Sequence, residues 1–285
     1  MISVTFLSSY LYCARKLFIE RVLGIRPEIP KDAIIKGSIR HSIYEKINLS
    51  NEGIVRSLDN RDFESVLEVF KSRYIKILKQ EVIKNKGGLE SIKVPLTDFF
   101  RDTKPMIEKE AEFRAGRIFE FIEKTGFLGG ELWENLTPKI KPEYRINSEA
   151  LGLKGVIDEL EVHPTFFVPN ELKTGKAPDE GVWPGHKVQV GAYAMLLEER
   201  FNVPVKKAVV RYLDTNAERE VLVNPFLKQE IKELIKKVNL MLDSGEIPDF
   251  VGNENKCKSC DLKDVCYDEK LINQKLESKI PNSQK

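Results

Sequence analysis

Two acidic residues and a lysine make the sharpest chemical pattern in the chain. Asp158 closes the apolar run GVID at 155–158, and Glu171 and Lys173 follow the run PTFFVP within NELKTGK at 170–176. Residues i and i+2 of a strand project to one face, so Glu171 and Lys173 point together. Paired as a hairpin, the two runs would bring Asp158 across to Glu171. Adjacent carboxylates repel, and a hard divalent cation is the usual remedy. Mg2+ or Mn2+ suits such an oxygen site, with the backbone carbonyl of Leu172 as a further ligand. Lys173, held beside the metal, could orient a water or neutralise a phosphate. The competing reading is a surface salt bridge within a hairpin, and the D…E-x-K pattern alone does not choose between the two.

Three further features bear on the choice. His41 ends a Gly37-x3-His41 unit and could donate a neutral nitrogen to the same metal, or be a helix-face histidine satisfied by a carboxylate. His186, Gln189 and Tyr193 in GHKVQVGAYAML share one helix face by their offsets of three and four. An amide and a phenol there could bond phosphate oxygens or a metal's water, or line a polar helix face. Glu143 in PEYRI lies on the run before Asp158 and could act through a bridging water, or be a solvated strand glutamate.

The chain has four cysteines: Cys13, and Cys257, Cys260 and Cys266 spaced C-x2-C-x5-C. Four thiolates suffice for one tetrahedral zinc or one iron–sulfur cluster. A structural zinc site often pairs two short CxxC knuckles, whereas one knuckle and two single cysteines stand here. That asymmetry leans towards a cluster and leaves zinc and unrelated buried thiols open. A metal on all four would tie the N-terminal region to residues 253–267, and its binding free energy would become folding free energy.

The elements that must position these residues follow from periodicity. Thr5 to Gly24 has helical spacing, and Lys36 to Ile47 reads as a second helix after the Pro30 break. Arg61 to Lys86 and Thr97 to Lys124 read as longer amphipathic helices. Their Lys71, Arg73, Lys76, Lys79, Lys84 and Lys86 are a solvated face or a DNA-backbone contact surface. From Pro138 to Lys176 the chain reads as short strands bounded by Gly, Pro and Asn. A helix over Trp183–Arg200, strands near 205–213 and 218–224, and a helix over Pro225–Ser244 follow, the last with Pro at its start and Gly245 beyond its end. This order predicts an α/β fold, a mixed sheet flanked by helices. Residues 1–285 read as a single domain, with 50–137 a helical insertion and 268–285 a polar tail.

At 285 residues the chain can hold one large domain or a core with an insertion. A net charge of +2 excludes a global basic field, so a nucleic-acid partner must rest on local features. The N-terminus lacks a basic region followed by an apolar core, and no apolar run approaches ~18 residues. The expectation is a cytoplasmic protein with no membrane partner, whose cysteines serve as ligands more readily than as disulfides.

In order, GxxxH, a strand glutamate, GVID, ELKTGK and QVGAY resemble the motifs of RecB-like PD-(D/E)XK nucleases. The resemblance implies a restriction-endonuclease-like core with metal ligation by His41, Asp158 and Glu171. It also implies catalysis by Lys173 and supporting roles for Gln189 and Tyr193. One cysteine before that core and three after it resemble the iron–sulfur branch of the superfamily. The start, SSYLYCARKLFIERVLG, is most similar to the CRISPR-associated exonucleases, the fourth numbered Cas family. Arg15 follows Cys-Ala where that family often has Cys-Pro-Arg. The likeness covers roughly 1–24, 36–47 and 138–267, and the region 50–137 carries none of its motifs. It implies an iron–sulfur cluster, expected as 4Fe–4S, on Cys13, Cys257, Cys260 and Cys266. The implied activity is metal-dependent exonuclease action on single-stranded DNA ends, trimming spacer precursors alongside Cas integrase proteins. A standalone repair nuclease and a non-catalytic DNA-binding scaffold are the competing functions.

Overall fold

The computed structural model describes residues 1–27 and 32–278, so Pro30 lies outside the described residues. Six strands form one mixed sheet: β1 (Ile2–Ser3), β2 (Lys139–Ser148), β3 (Leu153–Val162), β4 (Phe167–Lys173), β5 (Lys207–Tyr212) and β6 (Ala217–Leu222). β3 is the pivot. One edge pairs antiparallel with β2. The other takes β1 in parallel at Leu153–Lys154 and β4 antiparallel from Glu159 to Val162. Asp158 therefore sits where β3 has left β1 and is about to meet β4. β4 runs parallel to β5, and β5 antiparallel to β6. A parallel neighbour requires a crossover, which helix α7 (Pro184–Phe201) supplies.

Helices cover both faces. On one side α1 (Val4–Arg21), α7 and α8 (Pro225–Ser244) share a core with Ile157, Leu160, Val210 and Tyr212 of the sheet. On the other, α2 (Asp32–Arg56), α3 (Phe63–Lys84), α4 (Lys86–Ser91), α5 (Leu96–Thr125) and α6 (Gly129–Asn135) have their own core, entered by Leu172 and Leu213. Alternation along the strands thus sends Glu171 and Lys173 towards α7 while Leu172 meets the second helical layer. The helix expected over Lys36–Ile47 continues to Arg56, so residue 50 falls inside α2 rather than at the start of an insertion.

The sheet joins the second helical layer through buried charge. Arg114 of α5 donates to Glu110 at 2.6 Å and to Glu159 of β3 at 2.6 Å. Arg211 of β5 donates to Glu110 at 2.5 Å and to Glu159 at 3.1 Å. Asn48 of α2 donates to Glu159 at 2.8 Å. Burial by itself would raise both carboxyls, but the two guanidiniums override it. Glu159 is held down at about 2, and Glu110 also lies below its ordinary value. A carboxylate depressed in the fold contributes stability that is complete above the unfolded-state value of about 4.5 and is lost as pH falls towards 2. The melting temperature is therefore expected to drop steeply between pH 4.5 and about 2. The double variant Glu110→Gln/Glu159→Gln should flatten that acid limb in circular-dichroism melts, and an unchanged limb would refute the assignment.

The C-terminal region corrects one expectation. Residues 269–277, read as part of a polar tail, form α11 (Glu269–Glu277), with Ile272 buried and Leu276 packed on the α1/α7 core. Asp268 caps it, accepting from the Leu271 N–H at 3.0 Å. The reason lies in the spacing: Ile272 and Leu276 fall on one helix face, so a short polar segment can still bury an apolar stripe. Residues 279–285 lie outside the described residues. Among the described residues no helix is long and apolar enough to cross a membrane.

Candidate active site

The β2–β3 ladder is interrupted where the acids meet. Pairing runs through Pro142↔Glu159 and Tyr144↔Ile157 but omits Glu143 and Asp158 between them. Glu143 has φ +47, a left-handed conformation that costs a non-glycine residue on the order of 1–3 kcal/mol and that recurs at functional sites. The interruption turns the strand, so that Ile157 and Leu160 both enter the α1/α7 core. Strict period-two alternation would have sent them to opposite faces.

His41 of α2 reaches this break. Its Nε2 lies 3.4 Å from an Asp158 oxygen and its Nδ1 3.8 Å from a Glu143 oxygen. One ligand atom each from His41, Glu143 and Asp158 can be chosen so that all lie within 4.8 Å of one another. Gly37 permits the approach: a Cβ there would sit 3.3 Å from Thr174 Oγ1, just past Lys173. Asp214 braces the same junction, accepting from the Gly175 N–H at 2.7 Å and from Arg40 at 2.7 Å. No sequence pattern marked Asp214, because its role depends on α2 meeting the loop after β4.

Glu171 is buried beside Asp158. One of its oxygens accepts from Lys173 Nζ and from Gln189 Nε2, each at 2.7 Å. The other, Oε2, is buried with no hydrogen-bond partner among the described residues. Burial, then the charge of Asp158, pushes the Glu171 carboxyl up to about 7. His41 is pushed up to about 9, chiefly by its hydrogen bond to Asp158. Burial and then Asp158 also raise Glu143. A crowded acid set, a histidine drawn into it and an orphaned buried carboxylate oxygen fit a cation held by His41, Asp158, Glu171 and Glu143. What Leu172 brings to the site here is its N–H, which donates to Asp158 Oδ2 at 2.7 Å.

Gln189 and Tyr193 lie behind the acids and the lysine, joined to them by hydrogen bonds. Both are 2% exposed. Gln189 accepts from Lys173 Nζ at 3.0 Å while donating to Glu171, and also donates to the Tyr193 hydroxyl at 3.2 Å. The pair holds the ends of Glu171 and Lys173 in place. Tyr193 lies against Gly155, where a Cβ would come within 2.6 Å of the ring, which gives the glycine of GVID its reason. His186 stands apart from the acids, its Nδ1 3.0 Å from the Tyr212 hydroxyl. Burial and then Lys173 lower it to about 4, so it is neutral at pH 7.

The four cysteines also converge. All are free and half-buried, and they line one small apolar cavity with Tyr12, Ile19 and Leu262. Cys13 breaks α1 with an extended backbone (φ −165, ψ 106), while α9 (Glu254–Lys258) and α10 (Lys263–Tyr267) carry Cys257 and Cys266. The Lys16 and Leu262 N–H groups donate to Cys13 and Cys260 sulfur, each at 3.4 Å, and Arg15 Nε donates to Cys266 sulfur at 3.3 Å. Donors aimed at sulfur suit thiolates that carry metal charge. Lys16–Asp261 at 2.6 Å and Arg15 to the Pro248 carbonyl at 2.9 Å fasten the same seam.

The sequence profile of the PD-(D/E)XK nuclease superfamily matches residues 1–267, and the chain belongs to that superfamily. Within it the chain is similar to a CRISPR-associated exonuclease Cas4/endonuclease Cas1 fusion of Myxococcus xanthus, at 33% identity over 131 residues, 45% of this chain and 23% of the relative. A CRISPR-associated exonuclease Cas4 of Francisella tularensis subsp. novicida is 28% identical over 123 residues, 43% of this chain and 60% of the relative. The Arabidopsis thaliana DNA replication ATP-dependent helicase/nuclease JHS1 is 27% identical over 130 residues, 40% and 10% of the two chains. The matches thus span less than two thirds of these relatives' lengths. A solved structure, the crystal structure of SSO0001, aligns at TM-score 0.32 and 18% identity over 59% of this chain and 77% of that one.

Proposed function

We propose that the chain is a divalent-metal-dependent DNA exonuclease that prefers single-stranded ends and processes spacer precursors in CRISPR adaptation. The observation that carries the hydrolase reading is the convergence of His41, Glu143 and Asp158, next to a buried Glu171 whose Oε2 has no hydrogen-bond partner among the described residues. His41, Asp158 and Glu171 would hold Mg2+ or Mn2+, with Glu143 and the Leu172 carbonyl as further candidates. The bound ion would supply Lewis acidity towards a phosphodiester and lower the pKa of a bound water. Lys173, fixed by Glu171 and Gln189, would orient that water and offset charge gathering on the phosphate. The fusion of Cas4 with Cas1 in relatives supports an integrase partner. The likeness to a replication helicase/nuclease supports the rival reading, a repair nuclease outside CRISPR.

An iron–sulfur cluster on Cys13, Cys257, Cys260 and Cys266 belongs to the same proposal. The support is the shared apolar cavity and the donors aimed at three of the four sulfurs.

The test uses anaerobically purified protein with end-labelled single-stranded, duplex and circular single-stranded DNA, with Mn2+, Mg2+ or chelator. Metal-dependent shortening from an end is expected, faster on the single strand and absent on the circle. Asp158→Ala should be inactive. Equal activity in that variant would end the catalytic reading, and cutting of the circle would replace exonuclease with endonuclease action.

A further inference from the structure

Four charged side chains and an asparagine lie buried between the sheet and the second helical layer, and no catalytic step above uses them. Glu110, Arg114, Glu159 and Arg211 are each at most 9% exposed, and Asn48 is 6% exposed. Buried ion clusters are a poor route to stability, because apolar residues of similar volume often serve as well or better. What they fix is geometry, since each bond has one direction and one length.

The geometry fixed here is that of the candidate site. Glu159 is the residue after Asp158, turned to the back of the sheet, where it faces α2 and α5. Asn48 lies seven residues after His41 on α2, two turns or about 10 Å along the same helix face. Its amide donates to Glu159 at 2.8 Å, and its carbonyl oxygen has no partner among the described residues, so within them the bond to Glu159 is the side chain's one hydrogen bond. α2 is thus secured at two neighbouring residues of β3: Asn48 on Glu159 behind the sheet, and His41 on Asp158 at the break in the β2–β3 ladder. Arg114 and Arg211 hold Glu159 in place for that bond.

We propose that Asn48, through Glu159 and its two arginines, is a positioning residue that sets His41 opposite Asp158 for cation binding. The proposal rests on His41 being a metal ligand. Removing an outer partner of a metal site commonly costs 10–100-fold in affinity or activity.

The test is calorimetric titration of the anaerobically purified full chain with Mn2+, alongside nuclease rates across Mn2+ concentration. Asn48→Leu keeps the side chain's bulk and leaves Glu159 bonded to both arginines. It is expected to weaken Mn2+ binding at least about tenfold and to raise the Mn2+ concentration for half-maximal rate, while the rate at saturating Mn2+ falls much less. Val66→Ala, in the core of the helical layer, is the control: it should lower the melting temperature and leave Mn2+ binding unchanged. Wild-type Mn2+ affinity in Asn48→Leu, or an equal loss in Val66→Ala, overturns the proposal. Should Asn48→Leu fail to fold, Asn48→Ala carries the same comparison. His41→Ala separates the two levels: undiminished Mn2+ binding there removes the ligand role itself and the positioning role with it. Loss in His41→Ala with none in the Asn48 variant defeats the positioning role alone.

Discussion

Glu171→Gln is expected to abolish cleavage while making the metal-free protein more stable. The amide matches the carboxylate in shape and retains an oxygen for the Lys173 and Gln189 donors, but it is a weak ligand without the charge that draws a cation. Loss on the order of a thousandfold in rate is expected, in keeping with removal of a charge that organises a hydrolytic centre. The gain in stability follows from linkage. Glu171 is raised to about 7 in the fold by burial and by Asp158, against about 4.5 unfolded. Between those two values the folded state holds the proton more tightly, so stability declines as pH rises from about 4.5 to 7 and stays reduced above. Glutamine removes that penalty. Melting in chelator should therefore show Glu171→Gln above wild type at pH 8 by a few degrees, with the gap closing towards pH 4.5. Saturating Mn2+ should stabilise wild type far more than the variant. A variant that melts below wild type at pH 8 would show that Glu171 is a structural anion. Retained cleavage would remove it from the reaction.

Cys13→Ala carries the largest expected effect on stability. Cys13 lies on α1, whose Val4, Leu7, Leu17 and Phe18 form part of the main core. The other three cysteines lie on the short helices α9 and α10 and the turn between them, and none of those helices contributes a buried residue. Two five-residue helices cannot persist by propensity alone, and a metal bound by the four thiolates would add covalent closure to the packing of Leu262, Val265 and Cys266 on the core. Under anaerobic purification wild type should be brown, with iron and sulfide near four each per chain, the count for a 4Fe–4S cluster. Cys13→Ala should be colourless and melt at least about 10 °C lower, and protease should then cut within 249–268 ahead of any site in the sheet. Stoichiometric zinc with no iron in wild type would replace the cluster with a zinc knot. A variant that keeps its colour and melting temperature would remove Cys13 from the ligand set. Lys16–Asp261 and Arg15–Cys266 still join the two segments in the variant, which is why local opening is expected in place of global unfolding.

The order of the strands along the chain and the helix over Pro225–Ser244 were legible from residue types, as was the placing of Glu171 and Lys173 on one face of a strand. These are local features. Period-two runs ended by Gly and Pro define strands, and Pro followed by Gly brackets a helix. The likeness of His41 and of GVID to a nuclease pattern also needed no coordinates. Other features depended on which element lies over which. Spacing left Glu143 as a water-mediated partner or a solvated strand residue; the left-handed turn that sets it against His41 is a strain that spacing does not encode. Gln189 and Tyr193 matched a motif, but their burial beneath Gly155 and behind Lys173 came only from the packing of α7 on the sheet. The ion cluster around Glu159 draws on α2, α5, β3 and β5, with Asn48 and Arg211 far apart in the chain. A buried charge is recognisable only by its partners, and partners so distant meet only through the path of the whole chain. The chemistry available was thus written in the sequence, while the packing of α2 and α5 against the back of β3 decided which of those groups share a pocket and which hold it in shape.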